Sequence, residues 1–240
     1  MNGSSSTSPT RRPPYDYTRA LKFVFEDPAW VPKILIGSLF TFLSVFFIGS
    51  IWLSGYIVGI VRRMSRGERH PLPEWNNLGD LFQDGLRATA VWLAYILPLF
   101  VLAVVLALAL AGAATVPGTS LLAPTDFKTA SFLVVLTGYI FFSLVGLAVM
   151  LYMPAAFLRF ILLNRVSAAF DFRENFAFIR RNRNSYFQAI VVFSVASFIA
   201  QFGLIVLCIG FFPAAFWSMC VFGYAMGELA LENKQEPSRE

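Results

Sequence analysis

Charge is what this 240-residue chain has least of. Only 14% of its positions are Asp, Glu, Lys or Arg, against 57% apolar, where a soluble domain carries about 25% charged residues. The scarcity is patterned. No charge stands between Lys33 and Arg62, Arg87 and Asp126, Lys128 and Arg159, or Arg183 and Glu228. Each interval exceeds the roughly 20 apolar residues that cross a bilayer as a helix. A soluble helical bundle is a poor alternative, because its helices would show a polar face every few residues.

Reactive side chains are scarce too. The only histidine, His70, lies in a basic loop beside Pro71, which leaves no His-based dyad and no multi-histidine metal site within one chain. Both cysteines, Cys208 and Cys220, fall inside an apolar run and read as small core or lipid-facing residues rather than a disulfide or metal pair. A Gly-rich phosphate loop ending in Lys-Ser or Lys-Thr is missing, which argues against ATP-driven transport by this chain alone. Ser54 beside Gly55 has no base partner in the membrane and reads as a close helix contact. Ionisable groups, the usual mark of a transport site, are missing from the middle of each run; Arg159 and Glu228 sit near the ends, where snorkelling accounts for them. These absences predict no catalytic residue, no cofactor, no metal ligand and no enzymatic activity.

The tails are polar. Residues 1–14, rich in Ser, Thr, Pro and Arg, read as a disordered N-terminal tail, and 233–240 as a C-terminal one. No apolar run of a signal peptide precedes Ile34, and Asn2 excludes N-myristoylation, which needs Gly there.

What is present predicts an all-α, polytopic helical membrane protein with one membrane domain over 15–232. The run after Arg183 is too long for one span and breaks at Gly210 and Pro213, a natural helix stop and start. The run after Arg87 breaks at Gly112 and Pro117-Gly118. The helix that follows the loop runs on past Pro154 as a kinked helix towards Leu163. The first run is long for one span and short for two, and charge placement arbitrates. Arg11, Arg12, Arg19, Lys22 and Lys33, then Arg62, Arg63, Arg66, Arg69 and Arg87, then Arg159, Arg165, Arg173, Arg180, Arg181 and Arg183 are sixteen of the 19 basic residues. Basic connectors collect on the cytoplasmic side, and a hairpin broken near Ile48-Gly49-Ser50 puts all three groups there. The expectation is about six transmembrane helices as three hairpins, the first short or re-entrant, with both termini cytoplasmic. Spans are expected near 30–47, 49–64, 88–111, 131–153, 186–208 and 213–232, with amphipathic interfacial helices at 16–26, 77–87 and 168–181. The net charge of +5 therefore reflects membrane orientation rather than nucleic-acid binding.

Several short patterns recur. Tyr15-Asp16-Tyr17 parallels Phe170-Asp171-Phe172, Gly55-Tyr56-x-x-Gly59 parallels Gly223-Tyr224-x-x-Gly227, and Ile48-Gly49 parallels Ile209-Gly210. Trp75-Asn76-Asn77, and Pro154-Ala155-Ala156-Phe157 with its echo Pro213-Ala214-Ala215-Phe216, hint at a third unit. Asn77 and Asp80 suit a helix start. From Asp171 to Arg181, Phe172, Phe176 and Ile179 fall largely opposite Arg173, Glu174, Arg180 and Arg181. Such a helix lies in the interface, as an ordinary anchor or as a binder of anionic lipid headgroups. Hydroxyls and one amide, Ser44, Ser54, Thr89, Thr137, Ser143, Ser194, Ser197 and Gln201, are the polar groups within spans; Gln201 is expected to face another helix.

Glu26-Asp27-Pro28-x-Trp30, Leu35-Ile36-Gly37, Gly55-Tyr56, Arg62, Pro71-Leu72-Pro73-Glu74-Trp75, Asp84-Gly85 and Ser167-Ala168-Ala169-Phe170-Asp171-Phe172 together resemble one family. It is the uncharacterised prokaryotic integral-membrane family catalogued as domain of unknown function 4013, and the resemblance covers roughly residues 15–230. It implies a multi-span protein of the prokaryotic cytoplasmic membrane and carries no known activity or site residues. The residues themselves, rather than the resemblance, give the partners expected: the lipid bilayer, with anionic headgroups at the arginine-rich connectors, and a protein partner or second copy of unspecified identity. The reading that follows is a non-enzymatic scaffold, accessory or envelope component; the alternative is a transporter or channel for a neutral or lipid-like solute, which internal repeats favour.

Overall fold

The computed structural model describes residues 17–115, 124–205 and 210–235. The N-terminal tail, Tyr15 and Asp16, the segments 116–123 and 206–209 with Pro117, Gly118, Cys208 and Ile209, and residues 236–240 lie outside that set. All regular structure among the described residues is helical. In chain order it comprises α1 (Tyr17–Lys22), α2 (Trp30–Leu43), α3 (Ile48–Met64), α4 (Leu78–Thr115), α5 (Pro124–Leu163), α6 (Phe172–Arg181), α7 (Arg183–Gln201) and α8 (Phe211–Gln235), with 3-10 turns at Phe23–Glu26, Ser44–Phe46, Val166–Phe170 and Phe202–Ile205. Four stretches, Leu78–Leu108, Val135–Leu163, Arg183–Ile205 and Phe211–Lys234, are long and apolar enough to cross a membrane. A fifth follows if Tyr17–Glu26 and Trp30–Phe46, which meet at 98°, count as one bent span. At 17 residues, α3 is about 25 Å long, just short of the roughly 30 Å hydrocarbon core.

The interfacial helix expected at 77–87 does not stand apart from the span expected at 88–111. Both are one helix, α4, of 38 residues. Asp80, Asp84 and Arg87 interrupt the apolar pattern, yet nothing between Leu78 and Ala88 breaks the backbone, and the charged turns continue straight into the apolar ones. The start is as expected: the Asn77 amide donates to Asp80 Oδ2 (2.8 Å) and the Asn77 carbonyl accepts from Leu81 N–H. The helix expected at 168–181 instead divides into the turn Val166–Phe170 and α6, where Asp171 caps the first turn by accepting from Glu174 N–H, a first-turn device available to Asp with Glu three residues on. α7 closes into its 3-10 turn after Gln201, short of the expected 208.

The break in the first run falls at Phe47, beside the expected Ile48-Gly49-Ser50. Its φ of 64° is left-handed, uncommon for a bulky residue, and it joins two helices that lie against each other. A Cβ at Gly49 would overlap the Phe40 carbonyl oxygen of α2, so the turn closes only with glycine there. Glycine is required in the same way at Gly203, where a Cβ would lie 2.6 Å from the Gly210 carbonyl oxygen.

At the centre, α3 packs along α2, α4 and α8, and α8 along α7 and α2. The α3–α4 crossing is backbone on backbone. A Cβ at Gly55 would overlap the Leu81 carbonyl and one at Gly85 the Ile51 carbonyl, the close approach that small residues allow between membrane helices. Gly223 and Gly227 do the same for α8, taking Ile60 and Met64 of α3 into the space a side chain would fill. The repeated Gly-Tyr-x-x-Gly pattern thus marks helix contacts in both copies.

The two ends of the molecule differ. At one, the turn after α2 meets the start of α8, with Phe42 and Phe212 ring centroids 5.3 Å apart. At the other, the end of α3 is tied to the start of α4 by the Arg62–Asp84 ion pair, to the end of α5 by Arg62 and Asn164 (3.2 Å), and to α8 by Lys234 donating to the Ser65 carbonyl (3.2 Å).

Candidate functional site

Lys33 opens α2 and is 4% exposed, as is Asp27. An ammonium group has three protons to donate, and all three find acceptors: Asp27 Oδ2 at 2.8 Å, Glu74 Oε1 at 2.7 Å and the Leu72 carbonyl at 3.2 Å. The second Asp27 oxygen accepts from Ala29 N–H at 2.8 Å, fixing the bend between the turn Phe23–Glu26 and α2. The loop 71–75 folds over this pair. Its Trp75 is stacked between Phe40 and Tyr56, at 4.9 and 4.5 Å, and donates from Nε1 to the Lys33 carbonyl at 3.2 Å. Pro73 sits where a side chain on Gly59 would be. With three acceptors on its Nζ, Lys33 clamps the loop and α2 together.

A second polar knot holds the 166–181 connector against α4 and α5. Asn175 is fully buried. Its amide donates to the Ala169 carbonyl and to Tyr152 Oη, both at 2.7 Å, and its oxygen accepts from Arg159 at 3.1 Å. Tyr95 Oη also donates to the Ala169 carbonyl. Arg159 therefore reaches inward to Asn175 rather than snorkelling, because α6 folds back over the end of α5 and brings a polar partner within reach.

Tyr186 bridges α5 at Pro154. Pro154 has no N–H and crowds the preceding turn of α5. One residue on, the Ala155 N–H donates to Tyr186 Oη (3.2 Å), which itself donates to the Leu151 carbonyl (2.6 Å). Ala155 and Leu151 are four apart, so the hydroxyl bridges an i to i−4 pair of α5 beside the proline, where a helix is liable to open.

Other expected positions fall differently. Gln201 is exposed rather than facing a helix, because α7 ends there and the amide sits at a helix terminus instead of in mid-span. His70 is exposed and Cys220 is buried with a free thiol. Among the described residues no group of three His, Cys, Asp or Glu is placed to hold a metal ion. The sequence reading missed the Asp27–Lys33–Glu74 cluster and Tyr186. The available signal was an acid six residues before a lysine at the start of an apolar run, matched by an acid in the 71–75 block.

Compared with known families, residues 38–209 match the family described as protein of unknown function (DUF4013). The chain belongs to this family. The DUF4013 match takes in the 71–75 loop, the Gly55–Gly85 crossing and the 167–172 block, and begins after Asp27 and Lys33. No curated protein and no solved structure matches. In structural terms the DUF4013 blocks of this chain are joints: Trp75 seats the loop, Gly55 and Gly85 set a helix crossing, and Ala169 is the acceptor on which Tyr95 and Asn175 converge.

Proposed function

We propose that the chain is a multi-pass protein of the prokaryotic cytoplasmic membrane, three hairpins with the charged end and both termini cytoplasmic, acting as a non-enzymatic scaffold or accessory component. One observation carries this reading: the buried charged and amide groups Asp27, Lys33 and Asn175 are engaged in holding helices and loops together, while the outer faces of α4 and α5 are bare. Only 6% of the most apolar window of α4 and 17% of that of α5 is buried. Such faces require lipid or another helix against them. The alternative is a transporter or channel for a neutral or lipid-like solute, favoured by the proline within each of these helices, Pro98 and Pro154.

Two measurements separate the readings. Cross-linking in native membranes followed by mass spectrometry is expected to return a stoichiometric protein partner or a second copy bridged through α4 or α5. Reconstituted protein is expected to leave neutral-solute flux and lipid scrambling in liposomes at the protein-free rate; clear movement of either would replace the scaffold with the transporter.

A further inference from the structure

The charged end holds a cavity of about 440 Å³ where the ends of α3, α5 and α8 meet the start of α4. Arg62, Arg66, Arg87 and Lys234 line it, with Asp84 as the one acid and Asn164 and Ser65 as neutral polar groups. The positive charge is unevenly committed. Arg62 is paired with Asp84 and bonded to Asn164, and Lys234 donates to the Ser65 carbonyl, where a cation also suits the C-terminal end of α3. Arg66 touches only Glu68, at 3.8 Å, and is 68% exposed. Arg87 makes no hydrogen bond or ion pair among the described residues and is exposed. Two guanidinium groups therefore face an open, net-positive cavity with donors to offer, the geometry that suits a phosphate.

The apolar surroundings name the source of that phosphate. Ile161 and Leu162 form the apolar wall, and Leu86 and Leu163 beside it are exposed. From there the bare faces of α4 and α5 run away from the cavity, through Leu93 and Leu97 on one helix and Leu151 and Leu147 on the other. A headgroup in the cavity would have its acyl chains laid along surfaces that need covering. We propose that this cavity is a binding site for the phosphate of an anionic phospholipid, a built site at the base of the α4–α5 pair rather than a diffuse attraction to the membrane surface. Basic pockets between helices on the cytoplasmic side bind such headgroups. The proposal rests on the charged end lying at a membrane surface, so its test is made in neutral detergent, where orientation plays no part.

The purified full chain is titrated with phosphatidylglycerol, with phosphatidylcholine and with inorganic phosphate, reading thermal unfolding and lipid retained by native mass spectrometry. Phosphatidylglycerol is expected to stabilise and be retained, and phosphatidylcholine to do neither. Arg66→Ala and Arg87→Ala, both exposed and so tolerated by the fold, are each expected to weaken retention about fivefold, the value of one basic residue near an anionic surface. Arg173→Ala with Arg181→Ala, on α6, is expected to leave it unchanged. Equal loss in the α6 variant would overturn the pocket in favour of diffuse attraction. Inorganic phosphate matching the lipid effect would overturn the lipid in favour of a soluble phosphate, and indifference of Arg66→Ala and Arg87→Ala would remove the site altogether.

Discussion

Lys33, buried in an ion pair with Asp27, joins the start of α2 to the 71–75 loop. A buried ion pair contributes little net stability, but removing one partner strands the other and costs about 3–5 kcal/mol. Lys33→Met leaves the Asp27 carboxylate buried beside apolar side chains. Its thermal unfolding in detergent is expected to fall by that order, and the double variant Asp27→Asn/Lys33→Met to lose clearly less than the two single losses added together. Strict additivity would mean that the pair does not act as a unit. Tyr186→Phe keeps the ring and deletes only the hydroxyl, removing the bridge between the Ala155 N–H and the Leu151 carbonyl; a loss of about 1–2 kcal/mol is expected. No loss at all would show that Pro154 is accommodated without the bridge. Neither site was legible in the sequence, for one reason. Lys33 and Glu74 are far apart in the chain, as are Pro154 and Tyr186, and in each pair only the fold brings one to the other. Lys33 could be counted as an orientation charge, and Tyr186 as one more aromatic near a helix start.

At the level of elements, the uncharged runs, the break near Ile48, the helical passage through Pro154 and the amphipathic character of 172–181 could all be read from spacing. These signals are local: charge intervals, glycine and proline punctuation, and residues three or four apart. The separation of 77–87 from 88–111 could not be read correctly, because a change in polarity looks like a boundary while the backbone of α4 continues through it. The Gly55–Gly85 crossing also escaped, since single glycines in two helices do not announce that they meet. α6 gives the sharpest test at this scale, having two unlike faces. Phe178 is buried with Asn175, while Phe172 and Phe176 are 61% and 65% exposed. Phe178→Ala is expected to cost about 3 kcal/mol. Phe176→Ser is expected to change unfolding of the solubilised protein by about 0.5 kcal/mol or less, as an outward anchor would, whereas Phe172, although exposed, also stacks on Tyr152 with ring centroids 5.7 Å apart. A large loss from Phe176→Ser would mean that this ring is covered by protein.

At the scale of the whole molecule, the fold sorts its residues by solvent. Glycine-mediated crossings gather α2, α3, α4 and α8 into a packed centre, ion pairs and buried amides collect at one end, and the long apolar faces of α4 and α5 are left outside. The arrangement makes sense with lipid against those faces and water at the charged end. The loop between α3 and α4 and the segment between α4 and α5 should then lie on opposite sides of the membrane. Single cysteines in a background carrying Cys208→Ala and Cys220→Ala test this with an impermeant thiol reagent on intact cells. Ser65 is unsuitable because it is buried and its carbonyl accepts from Lys234; the exposed His70 is used instead. His70→Cys and Ser6→Cys are expected to stay unlabelled until the cells are opened, and Thr125→Cys to label at once. Labelling of His70→Cys in intact cells, or equal labelling at His70 and Thr125, would contradict the account.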